Sequence, residues 1–257
     1  MKIDNYGTGE RADAALRLIL RAAEAGEIPE AIEHLVLLPI PSTRDGVHIS
    51  GSEATLHSAL SSLGGGDAVV GYGLPCELVG ALGLKGALVY DAALDEEFLL
   101  GNAELTALGA LGYILTSIKA SPSELRFGIV GYGRIGKMLL RYLLFFGARV
   151  KLFTSRAELY EELLRYGVEA SPIFKKDGAP DFSGVDILIN TAPTSLSGGF
   201  EKGKGCAMRI IELASGNNFE GVEGVEYLPG LPGKTYPKSA GAALFSGIMR
   251  FIRGCGL

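Results

Sequence analysis

The sequence predicts an α/β protein: a Rossmann-type doubly wound parallel sheet domain together with a smaller, shortened α/β domain. Three observations carry this expectation. Short β-rich runs alternate with helical patterns through the second half, as parallel strands joined by crossover helices require. One of those runs breaks into "GYGRIG" and resumes as a helix. Glycine is abundant, 37 of 257 residues, and often follows an apolar run, where such folds turn from strand to helix.

Taken in chain order, "MKIDNYGTGERADAALRLIL" shows no complete opening strand. Candidate strands follow at 34–40, 67–73 and 86–91, separated by helical stretches. Asn102 is a good N-cap, and "AELTALGALGYILTSIKA" after it has the apolar face of a helix that stops before Pro122. Five β-rich runs come next, at 125–131, 148–153, 185–190, 208–213 and 225–230. Between the first two, Ile135, Met138, Leu139, Tyr142 and Leu143 recur at helical spacing until Gly147 ends the helix. A last helix opens at Pro237. The expected division is residues 1–120 as the smaller domain, with the helix in 237–257 packing back on it, and 121–236 as the nucleotide-binding domain.

Composition narrows the function. The chain is 47% hydrophobic with a net charge of −5 and no block of basic residues, so the footprint for nucleic acid or an acidic membrane is missing. Small neutral or anionic metabolites remain as ligands. The start lacks the apolar core of a signal peptide, and a cytoplasmic location is expected. Cys76, Cys206 and Cys255 are far apart and form no C-x-x-C pair, so they read as free thiols with no metal site. His34, His48 and His57 are isolated along the chain; His48 follows a Ser-Thr-Arg loop and is the one with a candidate role.

The glycine run carries the chemistry. Gly131-Tyr132-Gly133-Arg134-Ile135-Gly136 follows a strand and opens a helix inside a βαβ unit. In that setting the first glycine permits the turn, the second lets a pyrophosphate approach the backbone, and the third lets helix pack on strand. The competing reading is a glycine-rich turn without a ligand. NAD-binding folds place an acid at the end of the second strand; here Thr154, Ser155 and Arg156 stand there. Hydroxyls and an arginine suit a 2′-phosphate, so NADP is the expected cofactor, with NAD as the alternative if Arg156 merely starts a solvated helix. Thr191, Ala192 and Pro193 follow the run at 185–190, Ala214 and Ser215 the run at 208–213, and Gly230 lies in "PGLPG". At the carboxyl edge of the sheet these residues would line the nicotinamide half, although Pro and Gly also simply end strands.

Read together, "GYGRIG", "INTAP", "LAS", "PGLPG" followed by "PKSAG", and Glu104 and Thr106 as a Glu-x-Thr upstream resemble the A-subunit family of dipicolinate synthase. The resemblance covers roughly residues 34–253, and "PGLPG" with "PKSAG" is its most specific part. It implies an oxidoreductase of sporulation that oxidises dihydrodipicolinate to dipicolinate with a nicotinamide cofactor, working with a flavoprotein-like second subunit. Family members open with a complete Gly-containing strand, so against them the first domain here reads as shortened, and the loop "GNNFEGVEG" stands where the family continues with a Pro-Gly-Gly-Thr-Asp type of turn.

A dicarboxylate substrate needs cations or clustered donors, and hydride loss needs a group to take a proton. Ser42, Thr43 and Arg44 after a strand are candidates to bind it, with Lys238 as carboxylate anchor and Glu104 as acid/base or orienting residue. An acid near a helix start also has an ordinary explanation in the helix dipole; a lysine there does not. A homo-oligomer is expected. Two other readings stay open: a shikimate-dehydrogenase-like reductase, suggested by "DILINTAPTSLSG" but without its Lys–Asp pair, and a non-catalytic nucleotide-binding subunit of a complex.

Overall fold

The structure, a computed structural model, describes residues 1–174, 180–200 and 208–256. Contacts divide it into two units, Met1–Leu105 with Pro232–Leu257, and Thr106–Leu231.

The first unit holds β1 (Lys2–Asn5), α1 (Glu10–Glu24), β2 (His34–Leu37), α2 (Leu56–Leu60), β3 (Asp67–Gly71), α3 (Cys76–Leu84) and β4 (Leu88–Asp91). Its four strands run parallel in the order β1-β2-β3-β4. A strand therefore stands at the chain's start, where the sequence shows no complete one. "KIDN" is short and apolar only at Ile3, so neither length nor apolar content marks it, and it is fixed by pairing with β2.

Alternation along the strands sends side chains to two cores. Leu35, Leu37, Ala68 and Val70 pack with Ile19 of α1 on one face. Val36, Leu38 and Val69 meet Leu56, Leu60 and Leu82 of α2 and α3 on the other.

Helix α4 (Glu96–Ser117) runs from the first unit into the second. It starts two turns earlier than expected. Asp95, rather than Asn102, caps it, its carboxylate accepting the Phe98 N–H at 3.0 Å. By length and composition α4 could cross a membrane, but 44% of its apolar window is buried within the protein.

The second unit continues with β5 (Arg126–Val130), α5 (Arg134–Phe145), β6 (Arg149–Phe153), α6 (Tyr160–Arg165), β7 (Glu169–Ser171), β8 (Ile187–Asn190), β9 (Arg209–Glu212) and β10 (Val225–Tyr227). All six strands are parallel, in the order β10-β9-β8-β5-β6-β7. Counting from β5, that is the 3-2-1-4-5-6 order of a dinucleotide-binding sheet, with its switch point between β5 and β8.

One face of this sheet packs Phe127, Ile129, Leu152 and Ile189 against Leu139 and Leu143 of α5 and Ile114 of α4. Each such side chain contributes about 1.5–3 kcal/mol by leaving water. The other face differs from the alternating pattern. Among the described residues no α-helix packs there, and Phe182, Leu196, Phe200 and Phe219 from loops and turns cover Val130, Phe153, Leu188 and Ile210. Their rings step across the face, Phe153 to Phe182 at 5.0 Å, Phe182 to Phe200 at 5.6 Å and Phe200 to Phe219 at 5.7 Å.

After β10, "LPGKT" forms a single helical turn, α7 (Leu231–Thr235), and α8 (Pro237–Gly254) follows. Helix α8 belongs to the first unit and packs Leu244, Ile248 and Ile252 into the core that holds Ile19 of α1. Cys76 and Cys255 are free thiols, while Cys206 lies outside the described residues.

Candidate nucleotide site and substrate residues

At the switch point the three glycines do three different things. Gly131 has φ +94°, a conformation that side chains rarely adopt, and a Cβ there would stand 2.8 Å from Thr191 Oγ1. A Cβ on Gly136 would overlap the Gly131 carbonyl oxygen, so only glycine lets α5 press against the turn. Gly133 is the opposite case. It caps α5 with ordinary backbone angles, φ −84° and ψ −163°, and a Cβ there would meet nothing within 4 Å. The space beside Gly133 is open at the start of a 12-residue helix, where free backbone N–H groups and the helix dipole favour an anion. Those three features fit a dinucleotide pyrophosphate. Arg134 and Ile135 begin α5 beside this opening.

The second strand ends next to the same loop. Thr154 is buried, its hydroxyl accepting the Arg156 N–H at 3.3 Å, while Ser155 and Arg156 are exposed. The Arg156 guanidinium donates to the Tyr132 carbonyl and sits 5.7 Å from the centre of the Tyr132 ring. Lys137 approaches that ring as well, at 5.3 Å. The end of β6 and the glycine loop thus share one cationic, hydroxyl-bearing corner. Thr154, being buried, shapes it, and Ser155 and Arg156 face solvent from it.

On the other side of the switch point lies a buried polar knot that sequence reasoning passed over. Asn190 and Glu212, at the ends of β8 and β9, are 0% and 2% exposed, and Asn218 is 6% exposed. The Asn190 amide donates to both Glu212 oxygens at 3.1 and 3.0 Å, and Asn218 donates at 3.1 Å. The Ala214 N–H adds a third donor at 2.7 Å. Asn190 also grips its own loop, taking the Ala192 N–H at 3.0 Å and giving a bond to the Ala192 carbonyl at 3.0 Å. Burial pushes the Glu212 carboxyl above its ordinary range, and these hydrogen bonds pull the other way. Glu212 therefore ties Ala192 to Ala214, two of the loops expected to line the nicotinamide half. Thr191 donates to the Val130 carbonyl at 2.8 Å, fixing the β8 loop against the glycine turn. Pro193 and Ser215 continue these loops, and Gly230, at φ +69°, turns the chain into α7. The missed signal was "RIIEL": a lone acid closing a buried apolar strand.

The substrate candidates lie in the first unit. Ser42 is fully buried, donating to the Pro39 carbonyl at 3.1 Å and accepting the Tyr72 N–H at 2.8 Å. It braces the loops after β2 and β3 and presents no hydroxyl to a ligand, which corrects its expected role as a substrate contact. Thr43 bonds Asp45 at 3.2 Å and the Gly46 N–H at 2.9 Å, while Arg44 is exposed. His48 is not isolated, since Asp45 meets its Nδ1 at 2.7 Å, and that bond with two backbone N–H groups holds the Asp45 carboxyl well below its usual range. His34 likewise sits 3.0 Å from Asp4 and 3.5 Å from Asp67.

Glu104 is exposed in the third turn of α4, too far from the helix start for the dipole to account for it. Lys238 is exposed on the first turn of α8. Arg11, half-buried in α1, is a further cation that sequence reasoning missed.

Comparison with solved structures finds this fold in the A subunit of dipicolinate synthase from Bacillus halodurans, with a TM-score of 0.72 and 18% identity over 98% of this chain and 97% of that one. The A chain of dipicolinate synthase from Bacillus subtilis gives 0.71 and 18%, covering 100% and 97%. D-lactate dehydrogenase from Salmonella gives 0.60 and 14%, covering 100% and 96%. No family model and no curated protein matches the sequence. At these identities the likeness is one of fold.

Proposed function

We propose that this chain is an NADP-dependent oxidoreductase that oxidises dihydrodipicolinate to dipicolinate. The observation that carries the reading is the open backbone at Gly133, set at the switch point of a 3-2-1-4-5-6 parallel sheet. The likeness to two structures named dipicolinate synthase supports the choice of substrate, and D-lactate dehydrogenase supports the reaction class.

Gly131, Gly133 and the first turn of α5 would hold the pyrophosphate, and Ser155 with Arg156 the adenosine 2′-phosphate. Thr191 to Pro193, Ala214 and Ser215 would border the nicotinamide, held in place by Glu212. Bound there, NADP supplies the hydride acceptor. The substrate loses one hydride and one proton and gains an aromatic ring, so the protein's task is to orient it and receive the proton. Lys238, Thr43 and Arg44 are assigned to the two carboxylates and Glu104 to the proton.

The test is turnover: purified protein mixed with dihydrodipicolinate and NADP, followed by NADPH absorbance. Production of NADPH and dipicolinate in equal amounts supports the reading. Tight NADP binding without turnover, alone or with a flavoprotein-like second subunit, contradicts it.

A further inference from the structure

Among the described residues, Arg11 is a cation without a counter-ion. It is the second residue of α1 and is half-buried, and no carboxylate or hydrogen-bond acceptor among the described residues takes its guanidinium. Burial pushes the guanidinium below its ordinary value, and Tyr72 lies close enough for its field to act on it. The Gly233 backbone lies against it: a Cβ built on Gly233 would stand 3.4 Å from Arg11 Nε and 3.7 Å from Nη2, in ordinary van der Waals contact with the guanidinium. Behind it, α8 approaches closely, since a Cβ on Gly241 would lie 2.9 Å from the Arg11 carbonyl oxygen.

Taking a guanidinium partly out of water is unfavourable unless an anion or acceptor meets it. Arg11 stands where a parallel sheet takes its ligands. Arg11 follows β1, Thr43 follows β2 and Tyr72 follows β3, all beyond the carboxyl ends of their strands. Ser42 fixes two of these loops together through Tyr72. The Arg11 guanidinium thus stands beside the Gly233 backbone and within reach of Tyr72.

We infer that Arg11 binds a carboxylate of the substrate, its planar fork of N–H groups meeting the two carboxylate oxygens in the niche beside Gly233 and Tyr72. This rests on the reading of the substrate as a dicarboxylate, and it adds a residue of the first unit that neither motif nor spacing marks.

The test is calorimetric titration of dipicolinate, and separately of NADP, into wild type, Arg11→Leu and Arg11→Lys, with thermal melts of each. Arg11→Leu should lose about ten- to a hundredfold in dipicolinate affinity, the cost of a charge-assisted contact, with NADP affinity unchanged. Arg11→Lys keeps the charge without the fork and should fall between. Without ligand, Arg11→Leu should melt at or above wild type, because a desolvated cation has been removed. Unchanged dipicolinate affinity in Arg11→Leu overturns the inference, as does a wild type that binds NADP and ignores dipicolinate. An Arg11→Leu variant that melts far below wild type or does not fold makes Arg11 a structural cation and overturns it too. A wild type that binds neither ligand removes the oxidoreductase reading itself.

Discussion

Arg156 at the end of β6 donates to the carbonyl of Tyr132 in the glycine loop, and its guanidinium lies 5.7 Å from the Tyr132 ring centre. One side chain thus joins the two segments that would meet the adenosine half of a dinucleotide in the proposed site. With its hydrogen bond spent on one carbonyl, the guanidinium still has N–H groups for a phosphate.

Cofactor choice should follow from that contact. Wild type should bind NADP about ten- to a hundredfold tighter than NAD, the value of one charge-assisted bond of about 1.5–3 kcal/mol. Arg156→Ala should erase most of the preference, and Ser155→Asp should reverse it, since a carboxylate there accepts ribose hydroxyls and repels phosphate. Paired titrations of both nucleotides into the three proteins check this; equal affinities in wild type would contradict it.

The third glycine should behave as a folding residue. Gly136→Ala places a Cβ against the Gly131 carbonyl oxygen, an overlap that α5 must move to relieve. Overpacking of this kind costs about 1–3 kcal/mol, read as a lower melting temperature in calorimetry.

Glu212 should set both stability and its pH dependence. Glu212→Ala strips the partner from the buried amides of Asn190 and Asn218 and should cost about 2–4 kcal/mol. Because burial raises its folded pKa, protonation favours the fold. Its contribution is complete below the ordinary glutamate range and is lost as pH rises through the raised value. Melting of wild type minus Glu212→Gln, followed from about pH 4 to about pH 8, should therefore decline as pH increases. A difference that grows with pH would mean the hydrogen bonds outweigh burial.

Lys238→Ala should weaken dipicolinate about ten- to a hundredfold while leaving NADP binding and the melting temperature within error, as its exposed position on α8 suggests. Equal losses of both ligands would point to misfolding.

Much of the second unit was legible because its signals are local. A β-rich run, a glycine turn and a helical repeat lie within residues 126–147, and the five β-rich runs correspond to β5, β6, β8, β9 and β10. Strands β1 and β7 were not legible, for "KIDN" and "EAS" owe their conformation to neighbours in the sheet. The start of α4 was misplaced because Asp95 caps it inside an acidic stretch with Gly101 downstream, which looks like a turn. Of the candidate nucleotide site, Gly131 to Gly136 could be read from spacing. Glu212 and Arg11 could not, since what marks them is burial without an opposite charge, a property of the folded chain. Ser42 failed in the reverse sense: its residue type suits a ligand, but both of its hydrogen bonds are used inside the protein.

The most direct test is titration of NADP into wild type and Gly133→Val. The backbone at Gly133 suits any residue and a Cβ there touches nothing, so the variant should fold and melt like wild type. Its side chain would occupy the space a pyrophosphate needs, and NADP affinity should fall by about a hundredfold or more. A Gly133→Val protein that melts normally and binds NADP as wild type does would show that this loop is not the nucleotide site.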